Sequence, residues 1–98
     1  MPKPKHPPPH SEPKLKVQRV QTGARIEKRL LKVLKAIAEY HDLSLGDLLE
    51  GIVLHTFEGR SPFGPEGLKR IEMLKQVYGL DYDASLSHHF VEEQDNED

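Results

Sequence analysis

Residues 15–26, Leu-Lys-Val-Gln-Arg-Val-Gln-Thr-Gly-Ala-Arg-Ile, alternate over their second half. Val20, Thr22, Ala24 and Ile26 share one face, and Arg19, Gln21, Gly23 and Arg25 share the other. A period of two predicts a half-buried strand with a long-reaching, cationic polar face. Gly23 weakens it, because glycine brings no side chain and costs entropy. One strand cannot cover its own edges or its apolar face. Two amphipathic helices follow, and a second copy of the chain then solves the packing. Two strands pair antiparallel across a two-fold axis, and four helices close over the apolar side.

The helices are read from their spacing. Over 27–41, Leu30, Val33, Leu34, Ile37 and Ala38 recur at helical intervals, while Lys28, Arg29, Lys32, Lys35 and Glu39 take the wet side. Over 44–58, Leu45, Leu48, Leu49, Ile52, Val53 and Phe57 fit one face. Ser44 is the expected N-cap, with Asp47 completing a capping box and Leu43 stapling to Leu48. Gly59 is the expected left-handed stop. Over 65–78, Gly64 and Pro65 open a third helix, with Phe63 able to staple to Leu68. Gly79 closes that helix, with Leu80 placed for a Schellman contact. Asp42, in the turn between the first two helices, tolerates a left-handed backbone at some cost.

A chain of 98 residues without cysteine or tryptophan allows one small domain. Disulfides, thiol nucleophiles and cysteine-type zinc sites are excluded. The longest apolar run is Ile52-Val53-Leu54, far too short to span a membrane. The first residues are rich in Pro, Lys and His and do not read as a secretory signal, so a cytoplasmic location is expected.

Charge is unevenly spread. The formal net charge is −2. Residues 1–40 hold ten Lys/Arg against three Asp/Glu, and residues 41–98 hold four against thirteen. That pattern predicts a basic end that meets a polyanion and an acidic end that stays in solvent. The expected organisation is a disordered Pro/Lys-rich arm over 1–14, a domain over 15–59, a helical extension over 60–80 and an acidic, disordered tail over 81–98.

Residues 17–59 resemble the ribbon-helix-helix repressors. The resemblance rests on Gln21-x-Gly23-x-Arg25, on Leu30-Leu31-Lys-Val-Leu-Lys-Ala-Ile37-Ala-Glu, and on Ser44-Leu-Gly-Asp-Leu-Leu-Glu-Gly-Ile-Val53 with Phe57. It implies a mostly helical fold with one short strand, an intertwined homodimer with a two-stranded antiparallel ribbon, plus an extra C-terminal helix. It also implies a sequence-specific, repressor-like regulator, bacterial, bound to double-stranded DNA with the ribbon in the major groove and then associated with the nucleoid. By the same resemblance the outward residues Gln21, Gly23 and Arg25 meet bases. Ser44, Leu45 and Gly46, at the start of the second helix, meet a phosphate.

The side-chain chemistry agrees with those roles. Arginine pairs bidentately with guanine, which suits Arg25, and glutamine pairs with adenine, which suits Gln21. Arg19 reads a base or touches a phosphate. Free N–H groups and the positive dipole end of the second helix suit a phosphate, and Gly46 lets it come close. Lys14, Lys16 and Lys28 add charge that positions without reading sequence.

Two other readings compete. In one, an antitoxin-like or adaptor protein uses residues 60–98 to hold a protein partner. In the other, a ribbon-helix-helix dimer has lost DNA binding. An enzyme is not expected, since no acid–base pair, nucleophile set or phosphate loop stands out. No cofactor or metal is expected either. His88 and His89 point oppositely on an extended chain, and no ligand cluster lies near them.

Overall fold

A computed structural model describes residues 14–93. It contains α1 (Lys28–Tyr40), α2 (Leu45–Phe57), α3 (Pro65–Tyr78) and a short 3₁₀ turn at Ala84–Leu86. The expected arm over 1–14 and the end of the acidic tail, 94–98, lie almost wholly outside the described residues.

Each helix stops for a local reason. Asp42 adopts φ 58°, and the Asp42 and Leu43 N–H groups donate back to Glu39 and Ala38 carbonyls at 3.1 and 2.9 Å. Gly59 (φ 72°) repeats this after α2, with Gly59 and Arg60 donating to Thr56 and His55 carbonyls. Gly79 (φ 68°) and Leu80 do the same after α3. All three are Schellman closures, which satisfy carbonyls that a helix end leaves free. The last carries weight in packing, because Leu80 turns inward and is buried.

The core is small. Val33, Ile37 and Ala38 of α1, Leu48 of α2 and Leu80 are buried. Leu30, Leu34, Ile52, Phe63, Ile71, Leu74 and Tyr82 pack around them. α1 is the hub: it packs on both α2 and α3, while α2 and α3 do not pack directly on each other. Outside that core α2 leaves Val53, Leu54 and Phe57 exposed, and α3 leaves Leu68, Met73 and Val77 exposed. At its far end α1 is braced by Arg70 of α3, whose guanidinium carbon lies 3.8 Å from the centre of the Tyr40 ring.

The fold corrects one expectation. Among the described residues there is no strand, and therefore no two-stranded ribbon; the architecture is three helices, not a ribbon-helix-helix dimer. Residues 14–27 run without regular structure into α1, and Leu15, Val17 and Val20 are 88%, 60% and 84% exposed. The alternation in the sequence states which side chains share a face of an extended backbone. It does not supply a second backbone to pair with, and a β-ladder needs both. Gly23 adds backbone freedom that opposes ordering. The segment is held by side-chain ion pairs instead.

Candidate nucleic-acid interface

The segment that was expected to read bases lies against α2. Arg19 Nε donates to Glu50 Oε2 at 2.8 Å, and its Nη2 donates to Glu50 Oε1 at 2.7 Å and to Asp47 Oδ1 at 2.9 Å. This is a two-pronged guanidinium–carboxylate grip with a third bond to a second acid. Hydrogen bonding to Arg19 holds the Glu50 carboxyl below the usual carboxylate range, and the same bond pushes the Arg19 guanidinium up. Arg25 pairs with Glu92 from beyond α3. Gln21 and Gly23 are exposed.

The expected phosphate anchor adjoins this grip. Ser44 caps α2, its Oγ accepting from the Asp47 N–H at 3.1 Å. Asp47 is thus half of the expected capping box, and its carboxylate turns to Arg19 rather than back to the cap. Leu45 and Gly46, in the first turn, have no intrahelical acceptor for their N–H groups. A Cβ built on Gly46 would meet only Ser44 Oγ, at 3.9 Å, so the approach to this turn is open. The structure therefore brings Arg19 to the first turns of α2, where Ser44, Leu45 and Gly46 begin the helix. It also places two carboxylates there, and these compete for the same cation.

The lysines of the basic first half behave differently from its arginines. Lys14, Lys16, Lys28, Lys32 and Lys35 are exposed and make no ion pair among the described residues. Lys28, Lys32 and Lys35 fall on one face of α1 by their spacing. Lys32 and Lys35 belong with Lys14, Lys16 and Lys28 on this account. Their helical spacing already carried that signal.

Arg29 is structural. Its Nε donates to Glu27 Oε2 at 3.0 Å, and its Nη1 donates to the Gly79 carbonyl and to Asp81 Oδ1, both at 3.1 Å. Glu27 caps α1 by accepting from the Leu30 N–H at 3.0 Å, and Tyr82 donates its hydroxyl to the same carboxylate at 2.8 Å. Burial pushes the Glu27 carboxyl up, but the bonds from Tyr82, Leu30 and Arg29 outweigh it and hold its pKa at about 2. Burial, then the bond to Glu27, pushes Tyr82 up to about 12. This knot ties the chain beyond α3 to the start of α1. Tyr82 and Glu27 are 55 residues apart, and no local pattern in the sequence announces their contact.

The remaining polar groups do not converge. His55 Nδ1 lies 2.8 Å from the Gly51 carbonyl one helical turn back, and the His41 ring stands edge-on to Tyr40. Ser85 Oγ donates to Asp83 at 2.6 Å, closing a tight turn. Among the described residues no group of three or more His, Cys, Asp or Glu side chains is placed to hold a metal ion. No helix among them is long and apolar enough to cross a membrane. Comparisons with protein-family models, with curated proteins and with solved structures give no match to this chain.

Proposed function

We propose that the chain binds double-stranded DNA as a homodimer and acts as a regulator of transcription. The observation that carries this reading is the set of five exposed lysines, Lys14, Lys16, Lys28, Lys32 and Lys35, which make no ion pair among the described residues, in a chain whose acidic groups concentrate in its other half. Lysines of this kind neutralise phosphates and steer a duplex into place without reading it. The extended segment 14–25 lays Arg19, Gln21 and Arg25 along a groove as a basic arm, the side chains that donate best to base edges. The amides of Leu45 and Gly46 receive a phosphate at the start of α2. Exposed Val53, Leu54 and Phe57 give a second copy an apolar surface to cover, and a dimer doubles the charge presented to DNA.

The test is binding to labelled duplexes over a salt series, with selection of bound sequences from a random pool. The expected result is an affinity that falls steeply with salt, with a log–log slope near −0.9 per phosphate neutralised. Selected sites should be two-fold related, and Arg25→Ala should cost about 1–3 kcal/mol on them. Parent and variant binding a selected site equally would remove Arg25 from the interface.

A second reading has its own support. α3 packs the half-buried Ile71 and Leu74 against the core yet leaves Leu68, Met73 and Val77 exposed, a surface suited to a protein partner. Met73→Glu with Val77→Glu should abolish such an association while leaving helicity and duplex binding intact.

A further inference from the structure

We propose that Asp47, Glu50 and Glu92 form an internal latch that occupies Arg19 and Arg25 in place of DNA and opens by exchange when a duplex arrives. The inference rests on the DNA-binding reading above and adds regulation at the same residues.

Three observations support it. First, a carboxylate offers a guanidinium the same kind of two-pronged acceptor pair as a phosphate or the O6/N7 edge of guanine, so a latched arginine already holds the donors it would turn to DNA. Arg19 grips both Glu50 oxygens and one of Asp47. Second, the latch is exposed. The Arg19 side chain is 60% accessible, and Asp47 and Glu50 are 43% and 50% accessible. Exposed pairs of this kind are weak, so a polyanion with many phosphates can displace them. Third, nothing else has to break. No backbone hydrogen bond joins residues 14–26 to the helices. The exposed lysines have no ion-pair partner among the described residues and make the first encounter, after which the arginines change partners. The carboxylates also penalise weak, transient contacts, because a ligand that cannot open both pairs gains only the lysines.

The experiment uses the full chain and a fluorescein-labelled random-sequence duplex, with anisotropy read over a salt series. Asp47→Asn with Glu50→Gln should bind about 3–10-fold more tightly than the parent, the range of one or two exposed pairs. Its log–log salt slope should steepen by up to about one phosphate contact. Removing negative charge near DNA raises affinity by simple repulsion too, so the deciding step is a double-mutant cycle. In an Arg19→Ala background the same pair of substitutions should give no gain. A gain that survives without Arg19 overturns the latch and leaves repulsion as the cause. Glu92→Gln should show the same dependence on Arg25. Glu58→Gln, whose carboxylate pairs with Arg60, should leave affinity within about twofold of the parent. If no variant and no parent binds the duplex at low salt, the DNA reading itself fails. Tryptic cleavage after Arg19 then judges the latch: it should be faster in the Asp47→Asn, Glu50→Gln protein, and equal rates overturn it.

Discussion

Replacing Tyr82 by phenylalanine removes one oxygen from the knot at the start of α1 and leaves the ring in place. The hydroxyl donates to a carboxylate, and hydrogen bonds to charged groups contribute about 1.5–3 kcal/mol. The Glu27 side chain is 24% exposed, so solvent takes over part of that bond, and we expect a loss of about 1–2 kcal/mol near neutral pH. For a domain of this size that is a fall in Tm of about 5–12 °C. The pH dependence carries a definite sign. The folded Glu27 carboxyl, at about 2, lies below its ordinary value of 4.5. Its contribution is therefore complete above about pH 4.5 and is lost as pH falls from there toward about 2. Tyr82→Phe weakens the knot that lowers this pKa, so the Tm gap between parent and variant should narrow over that acid window. Folded Tyr82, raised to about 12, works in the opposite direction: its contribution is complete below its ordinary value of 10.0 and fades as pH rises toward about 12. Thermal melts followed by circular dichroism at neutral, mildly acid and strongly acid pH provide the assay. A variant that melts within about 1 °C of the parent at neutral pH, or a gap unchanged through the acid window, would refute the reasoning.

Two further outcomes follow from the helices themselves. Leu48 is 5% exposed and is the sole buried residue α2 sends into the core, so Leu48→Ala should cost about 2–4 kcal/mol, read by urea unfolding at constant m. Asp42→Gly should gain up to about 1 kcal/mol in the same assay, because glycine meets the φ of 58° without the side-chain penalty; a loss would show that the aspartate side chain contributes more than its backbone strain costs.

What the sequence made legible was local. The three helices and their stops depend on residues within one or two turns, so periodicity, Ser44, Gly59 and Gly79 sufficed to place them. That residues 15–26 form no strand was not legible in this sense, because pairing depends on a second backbone that alternation does not supply. Arg19 was recognisable as a long exposed cation, but its partners lie 28 and 31 residues away and became visible only once α2 was placed. The same distance hid the Glu27–Tyr82 bond, and with it the return of the chain beyond α3 over α1. Lysines on one face of α1 were predictable from spacing alone, whereas their lack of ion pairs among the described residues was a matter of three-dimensional placement.

The position of α1 as hub has a kinetic consequence. Each of its neighbours reaches it through a connection of a few residues or one intervening helix, so contacts close without long loops. Such a topology should fold in the microsecond-to-millisecond range. α2 and α3 meet only through the helix they share, so each is free to dock in either order, and the rate-limiting ensemble should contain α1 with one companion and leave the other for last.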